Sequence, residues 1–190
     1  MQSSNSFNAA GVLPYCMLDG EKYYLLGRDR FSSTLSDFGG KRNQKIEPPE
    51  SPHDCAAREC AEELGALGDV PTVLKLLKDT TITTQYTITR KKTGKKKPFI
   101  YHLFTVKVQP DLFSDFQQTT EKCSVIWIKA TNVYYSILAQ KGIVTIGGEQ
   151  VLLRDAFQIE MSALPEYGEF SRRLLTHAQQ IKPFVPTRIY

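Results

Sequence analysis

The chain has 190 residues and a formal net charge of +4, with 41% hydrophobic and 23% charged residues. These values are typical of one folded globular domain and exclude a disordered or collagen-like chain. The sequence contains no run of about 18 apolar residues, the length that spans a bilayer, and its first ten residues lack the basic and then apolar layout of a signal peptide. We therefore expect an intracellular, cytoplasmic protein without a membrane partner.

Six strands are predicted from runs of β-branched and aromatic residues. They cover residues 11–18, 23–28, 73–77, 80–89, 99–108 and 124–129. Asp19 and Gly20 indicate a hairpin between the first two strands. In the fifth strand the alternation of side chains places five residues on one face, namely Ile100, His102, Phe104, Val106 and Val108.

Four helices are predicted, at residues 52–64, 132–140, 149–161 and 165–180. The first begins with Ser51 as N-cap and Pro52 in its first turn, and Gly65 ends it. Loops are expected at residues 31–37, before Phe38, and at 41–50, whereas residues 142–148 are expected to form a hairpin or a short strand pair. Strands around an early helix, with helices at the end, indicate an α/β or α+β sandwich. We expect a flexible lead at residues 1–10 and a single domain at 11–190.

The four cysteines are Cys16, Cys55, Cys60 and Cys123, with no Cys-x-x-Cys pair among them. A disulfide framework or a thiolate metal site is therefore not supported. Cys55 and Cys60 fall in the first predicted helix, where each is expected to be a small apolar core residue. Free thiols agree with a reducing compartment.

Three carboxylates fall within five positions of the same helix, at Glu59, Glu62 and Glu63. Residues three or four apart share a helix face, so these side chains are expected to converge and to repel one another. A divalent cation would remove that repulsion, and ligands that are all oxygens favour Mg²⁺ or Mn²⁺. The alternative is a solvated acidic face with no ligand.

These residues resemble the Nudix box, G-x5-E-x7-R-E-U-x-E-E-x-G-U, in which U is a bulky aliphatic residue. The matching positions are Gly40, Glu50, Arg58, Glu59, Glu62, Glu63 and Gly65. Cys60 and Ala66 replace two aliphatic positions, and nine residues instead of five separate Gly40 from Glu50, as if residues 42–45 were inserted. The resemblance implies a Nudix-like α/β/α sandwich with a central mixed sheet, and hydrolysis of the diphosphate linkage between a nucleoside and another moiety.

The resemblance also implies roles for individual residues. It makes Glu59, Glu62, Glu63 and the carbonyl of Gly40 ligands of Mg²⁺ or Mn²⁺. Glu50 and Arg58 become supporting residues that hold the loop against the helix. The general base is either one of the box glutamates or a carboxylate from a later loop, for which Glu121 is the candidate. Weaker alternatives are Glu47, Asp37 and Asp115.

Several cations and aromatic residues are candidates for substrate binding. Lys41 and Arg42 follow the glycines directly, and Arg28 and Arg30 lie near the end of the adjacent strand, so each is expected to approach a substrate phosphate or to be an ordinary surface cation. The aromatic candidates for stacking on a base are Phe31, Phe38, Tyr86 and Tyr101, with a place in the core as the alternative.

The sequence leaves the substrate class open. A soluble nucleotide derivative is the broadest option, and capped RNA or a diphosphoinositol polyphosphate are alternatives because six cations fall in the eight residues from Arg90 to Lys97. Such a run attracts polyanions, although it is also typical of a solvated hairpin tip. A Nudix-like module that binds a nucleotide or RNA without turnover is the competing hypothesis, and a homodimer is left open.

Overall fold

The computed structural model describes residues 7–45, 47–64, 69–77, 81–89, 96–113 and 116–180. Its strands are β1 (Ala9–Leu18), β2 (Glu21–Asp29), β3 (Leu35–Ser36), β4 (Phe38–Lys41), β5 (Thr81–Thr89), β6 (Lys96–Lys107), β7 (Lys122–Lys129), β8 (Ile143–Ile146) and β9 (Glu149–Leu152). Its helices are α1 (Pro52–Leu64), α2 (Val70–Leu76), α3 (Ala130–Leu138), α4 (Asp155–Ser162) and α5 (Pro165–Gln180). Within these ranges no helix has the length and apolar composition needed to cross a bilayer.

A central mixed sheet is organised around β1. Its strand order is β3-β2-β1-β6-β5, with β4 also paired to β1 and β7 also paired to β2. The β1–β6 pair is parallel, and the other pairs are antiparallel. The N-terminal half of β1 pairs with β4, so that Ala10 lies opposite Gly40 and Gly11 opposite Gly39. The two glycines are thus fixed in the middle of the molecule.

Both faces of the sheet are covered. Successive side chains of a strand point to opposite faces; accordingly Val12 and Leu25 pack with α1 and α2, whereas Leu13 and Leu26 pack with α3 and α4. All four side chains are almost fully buried, and burial of one such side chain contributes about 1.5–3 kcal/mol. The expected α/β/α sandwich with a central mixed sheet is confirmed.

Helix α1 begins and ends close to its predicted bounds. The backbone N–H of Asp54 donates to the Ser51 hydroxyl at 3.2 Å, and the backbone N–H of Ser51 donates to the Asp54 carboxylate at 3.3 Å, which makes a reciprocal cap. Cys55 and Cys60 are fully buried free thiols in the core beneath the helix. Their expected role as small apolar core residues is confirmed.

The strand predicted at residues 73–77 is wrong, because the helix α2 covers Val70–Leu76. Asp69 caps that helix by accepting from the backbone N–H of Thr72 at 3.0 Å, and Pro71 lies in its first turn. This capping and the burial of Val73 outweigh the weak β preference of Val73.

The helix predicted at residues 149–161 is wrong in its first part. Gly147 and Gly148 both have positive φ angles, 56° and 88°, and turn the chain into β9, which pairs with β8. The expected hairpin at 142–148 therefore extends to Leu152, and α4 begins only at Asp155. Two further bounds differ: β3 lies inside the expected loop at 31–37, and β1 begins at Ala9 with Phe7 buried, so part of the expected flexible lead belongs to the fold.

The strand predicted at residues 99–108 corresponds to β6. The face predicted for it is confirmed, since Ile100, Phe104, Val106 and Val108 pack in one core cluster and His102 contacts Phe7 of that cluster. The basic run from Arg90 to Lys97 lies outside the described residues except for Lys96 and Lys97, which open β6.

Candidate active site

Close contact between β4 and α1 defines the candidate site. A Cβ atom on Gly40 would overlap the carboxylate of Glu59, and a Cβ on Gly39 would lie 2.5 Å from Cα of Gly11. The Cys55 thiol also donates to the carbonyl of Gly40, at 3.7 Å. Glycine at position 39 therefore allows β4 to approach β1, and glycine at position 40 leaves room for the carboxylate of Glu59.

Arg58 and Glu50 form the expected supporting pair. Arg58 Nε donates to Glu50 Oε1 at 2.8 Å, and its Nη2 donates to the carbonyl of Lys41 at 3.0 Å. The other carboxylate oxygen of Glu50 accepts from the backbone N–H of Asn43 at 2.7 Å. Burial opposes ionisation of Glu50, but the bonds from Arg58 and Asn43 outweigh it and lower its pKa. The loop after Gly40 is thus tied to α1 through one buried ion pair.

The three helix glutamates have different surroundings. Arg58 Nη1 lies 2.7 Å from Glu59 Oε1 and 3.4 Å from Glu62 Oε2, and the side chain of Glu62 is 59% exposed. Glu63 is buried, with its Oε1 at 3.4 Å from Lys122 Nζ and its Oε2 without a hydrogen-bond partner.

The expected convergence of these three carboxylates on one point is not seen. In the described part of the chain, no three Asp, Glu, His or Cys side chains are grouped so that they could hold a metal ion. The physical reason is the pairing of Glu59 and Glu62 with Arg58 on one side and of Glu63 with Lys122 on the other.

The electrostatic surroundings nevertheless favour a cation. Burial raises the pKa of Glu63 to about 8 against the opposing charge of Lys122, and the charges of Asp37 and Glu121 raise it further. Burial also raises the pKa of Glu59 against the effect of Arg58, with further contributions from Glu62 and Glu121. The charge of Glu121 thus contributes to the raised pKa of both helix carboxylates. A hard divalent cation would relieve this repulsion, and the unpartnered Oε2 of Glu63 is a free oxygen ligand.

The predicted phosphate-binding cations divide into two groups. Lys41 and Arg42 line an open cavity of about 730 Å³ together with Lys45 and Lys97, and we call these four residues the basic groove. The guanidinium of Arg42 also lies 4.7 Å from the centre of the Phe7 ring and donates to the Glu50 carbonyl at 3.0 Å.

Arg28 and Arg30 belong to the other group and make contacts with other segments. Arg28 is paired with Glu149 of β9, and Arg30 donates to the carbonyl of Thr119 at 2.9 Å and to Gln118 at 3.2 Å. These contacts are exposed, and the role of both arginines in phosphate binding stays a prediction.

The weaker candidates for a general base differ in position. Asp37 is fully buried and accepts hydrogen bonds from Tyr101 and, at 3.0 Å, from Arg154, so both of its oxygens are already used. Glu47 is exposed, and Asp115 lies outside the described residues. Glu121 is the candidate whose charge contributes to the raised pKa values of both Glu59 and Glu63.

The four aromatic candidates also separate. Phe38 is fully buried in the core, and Phe31 is 85% exposed. Tyr86 and Tyr101 line a cavity of about 230 Å³ that borders Gly39 and Gly40.

Three further residues near Gly39, Gly40 and Glu63 were missed by sequence reasoning. Arg154 and Glu160 line the cavity beside Gly39 and Gly40, and Lys122 pairs with Glu63 beneath Phe38. A signal for Glu160 was available: it lies three residues after Phe157 and directly before Met161, two fully buried residues, as an acidic residue on the apolar face of a helix. No comparable local signal marks Arg154 or Lys122.

A strand–loop–helix unit with a partly buried Arg–Glu pair places an acidic helix against two glycines, within a mixed sheet between helices. The NUDIX domain family matches residues 12–143, which is more than half of the chain. The chain therefore belongs to the Nudix family. The comparison with curated proteins finds no match.

Solved structures agree with this fold. A bifunctional NMN adenylyltransferase/ADP ribose pyrophosphatase from Francisella tularensis is 17% identical with a TM-score of 0.51, and the alignment covers 88% of this chain and 44% of that one. A C. elegans Ap4A hydrolase is 20% identical with a TM-score of 0.42, covering 92% of this chain and 98% of that chain. A Nudix hydrolase from M. smegmatis, RenU, is 18% identical with a TM-score of 0.48, covering 92% and 88%.

Proposed function

We propose that the protein hydrolyses the diphosphate linkage of a nucleotide derivative in a reaction that depends on Mg²⁺ or Mn²⁺. The observation that carries this proposal is the position of Glu59 directly against Gly40, with a buried and unpartnered carboxylate oxygen on Glu63 of the same helix. An acidic site of this kind is costly to bury unless it binds a cation or a proton.

Each residue of the site has a part in this proposal. Glu59, Glu62, Glu63 and the carbonyl of Gly40 would hold the cation once the glutamate side chains turn away from Arg58 and Lys122. When bound, that cation would neutralise charge on the diphosphate and polarise it toward attack by water. Glu121, whose charge acts on Glu59 and Glu63, would take the proton from the attacking water. Arg58 and Glu50 would act through the others, because their ion pair keeps the loop in contact with the helix.

The basic groove supports an anionic substrate. Lys41, at the end of β4, borders both the groove and the smaller cavity beside Gly40. A diphosphate bound at Gly40 would thus have a cation next to it, and the other groove cations could contact further phosphates.

The same groove favours a second candidate, a longer polyanion such as capped RNA or a diphosphoinositol polyphosphate. Lys97 of β6 is the last residue of the basic run that starts at Arg90. If this substrate is correct, affinity will fall steeply with salt and Lys97→Gln will reduce the slope. A slope unchanged by that substitution would exclude the groove as a backbone-binding surface.

Chromatographic separation of the cleavage products tests the first proposal directly, because breaking a diphosphate that joins two moieties leaves phosphate on both products. Nucleotide sugars, dinucleoside polyphosphates, ADP-ribose, capped RNA and a diphosphoinositol polyphosphate are incubated with Mg²⁺ or Mn²⁺. We expect one class to be cleaved, with a loss of roughly a hundredfold or more in Glu59→Gln, the scale seen when a group that stabilises transition-state charge is removed.

The matched control is Glu169→Gln, which changes an exposed glutamate in an i,i+4 pair on α5. It should leave turnover unchanged. Binding of one of these compounds without any metal-dependent cleavage would contradict the hydrolase proposal and support a binding module instead.

A further inference from the structure

Two residues that line the cavity beside Gly39 and Gly40 each carry a buried side-chain atom without a hydrogen-bond partner among the described residues. Among the described residues, five buried side-chain atoms have no hydrogen-bond partner, and two of them are Arg154 Nε and Glu160 Oε2, whose residues line this cavity. A buried polar atom without a partner costs about 1–3 kcal/mol. Two such atoms at one cavity are therefore a cost that a bound ligand would remove.

The size and position of the cavity fit one part of a substrate. Its volume is about 230 Å³, below the ~300–1,000 Å³ of pockets that enclose a whole drug-sized ligand. One side of the cavity is formed by Gly39, Gly40 and Lys41, where the diphosphate is proposed to bind. A group attached to that diphosphate would extend into the cavity.

The walls of the cavity are suited to a flat ring. Tyr86 and Phe99 both line it, with ring centres 5.2 Å apart and planes inclined by 34°. Aromatic side chains stack on nucleobases without hydrogen-bond specificity, a contact worth about 1–3 kcal/mol per base. Specificity then has to come from polar groups at the edge of the ring.

The polar groups are held in fixed positions. Arg154 Nη2 donates to the fully buried Asp37 at 3.0 Å, and the Tyr86 hydroxyl lies 3.5 Å from Glu160 Oε1. Ala156 and Glu160 both line the cavity from α4, one helical turn apart. Groups fixed in this way lose little entropy when a ligand binds.

We propose that this cavity binds the nucleobase of the substrate, and that Arg154 and Glu160 hydrogen-bond to a base edge that carries an N–H donor beside an acceptor. The inference rests on the proposed function for the substrate class, since it assigns the base-binding part of the same site. Such an edge supplies an acceptor for Arg154 Nε and a hydrogen-bond partner for Glu160 Oε2. An alkyl group would leave both atoms unmatched, because it presents neither a donor nor an acceptor.

The ionisation of Glu160 is compatible with either arrangement at the base edge. Burial raises the pKa of Glu160 well above its ordinary value, and the charge of Asp37 raises it further. The charge of Arg154 and the hydrogen bond from Tyr86 oppose this shift. A neutral carboxyl group both donates and accepts, so it can pair with adjacent groups of a base.

Binding without metal separates this inference from hydrolysis. Calorimetric titrations in EDTA compare the four nucleoside 5′-monophosphates with ribose 5-phosphate. They also include the matching ring that lacks the N–H donor, which is purine riboside 5′-monophosphate for a purine. We expect at least one natural nucleotide to bind about tenfold or more tightly than both comparators, equivalent to about 1.4 kcal/mol.

Variants then assign this preference to the cavity. Glu160→Leu should reduce the advantage over the ring without N–H to less than about twofold, whereas Ser136→Ala, which alters an unpartnered buried hydroxyl outside the cavity lining, should retain it. Ala156→Leu fills the cavity from α4. It should remove the advantage over ribose 5-phosphate, and it provides the test if Glu160→Leu does not fold.

Equal binding of ribose 5-phosphate and all four nucleotides would overturn the inference, as would an advantage that persists in Glu160→Leu. These results do not depend on turnover. If the protein binds a base edge through Glu160 but cleaves no diphosphate substrate with metal, the hydrolase proposal fails and the base site remains. If it cleaves the substrate but Glu160→Leu keeps the same base preference, only the base site fails.

Discussion

Helices α1 and α4 lie on opposite faces of the central sheet, and both meet the glycine strand β4. On the α1 side, each acidic group has a cation partner: Arg58 pairs with Glu50 and Glu59, and Lys122 pairs with Glu63, whose second oxygen has no hydrogen-bond partner among the described residues. On the α4 side, Arg154 is directed to Asp37, and Glu160 is left with one oxygen unpartnered among the described residues.

The ion pair of Arg58 with Glu50 stabilises the structure, whereas the unpartnered atoms on the α4 side are suited to bind a ligand. Matched charges on the α1 side fix the loop and the helix in relation to each other. Unmatched atoms on the α4 side are a cost to the free protein that a ligand can recover. Loss of the Arg58–Glu50 pair is therefore expected to act mainly on stability, and substitutions on the α4 side mainly on binding and on pH dependence.

The largest effect is expected at Arg58. Arg58→Gln removes the partner of Glu50, whose side chain is only 4% exposed, and leaves a buried carboxylate unpaired. Breaking a buried pair in this way costs about 3–5 kcal/mol, and we expect a value near the lower end because Arg58 itself is 23% exposed. Urea denaturation measures the change in the free energy of unfolding.

The matched control for Arg58 is Arg173→Gln, which breaks the exposed pair with Glu169 on α5. This change should stay within about 0.5 kcal/mol. If both variants had the same small effect, the matched charges on the α1 side would not be what holds the loop to the helix.

The second expected effect is at Gly40, in turnover. In Gly40→Ala the new Cβ would overlap the carboxylate of Glu59 and displace it. Because the end of a glutamate side chain can move, we expect the free energy of unfolding to change by less than about 1 kcal/mol. We expect the rate of substrate cleavage to fall roughly thirtyfold or more, equivalent to about 2 kcal/mol.

Gly168→Ala is the control, because a Cβ at that position on α5 meets open space. Turnover by this variant should equal that of the native protein. Full activity of Gly40→Ala would separate Glu59 from the reacting centre.

The third effect concerns pH and separates the two sides further. The folded-state pKa of Glu160 is raised above the ordinary carboxyl value, so its contribution to stability is fully present below about pH 4.3 and is lost as the pH rises. The unfolded state then binds fewer protons than the folded state, and the slope reaches about −1.4 kcal/mol per pH unit.

Urea denaturation between pH 5 and pH 8 measures this slope. Glu160→Gln cannot titrate, so the native protein should lose stability relative to this variant as the pH rises. Parallel curves would show that Glu160 ionises in the folded protein as it does in the unfolded chain.

The smallest effect concerns the start of α1. Ser51 caps α1 through a reciprocal pair of bonds with Asp54, whereas α4 has no side-chain cap at Arg154. Ser51→Ala should therefore cost about 1 kcal/mol, measured as the shift in the urea midpoint. An unchanged midpoint would mean that packing beneath α1 alone sets where the helix begins.

Most of the α1 side could be predicted because its signals are local. Ser51 and Pro52 mark the start of the helix, and the resemblance to the Nudix box from Glu50 to Glu63 implied the Arg58–Glu50 pair. Expected convergence of the glutamates did not follow, since helix periodicity places Glu59 and Glu63 on one face but cannot indicate that Lys122, almost sixty residues later, draws Glu63 aside.

The α4 side could not be predicted because its parts come from distant segments. Arg154 reaches Asp37 because its backbone N–H bonds to the carbonyl of Leu35 at 2.9 Å, which fixes the start of α4 beside β3. That placement follows from the β8–β9 hairpin, which was itself predicted to end too early. Tyr86 was a candidate for stacking, but the cavity that it lines exists only once β5, β4 and α4 are assembled.

Metal binding tests the central claim most directly, namely that the α1 glutamates beside Gly40 hold a divalent cation. Calorimetric titration with Mn²⁺ compares the native protein with a Glu59→Gln/Glu63→Gln double variant and with Glu169→Gln. We predict saturable binding by the native protein and by Glu169→Gln, and a loss of at least tenfold in affinity, about 1.4 kcal/mol, in the double variant. Equal Mn²⁺ affinity in all three proteins would contradict the claim.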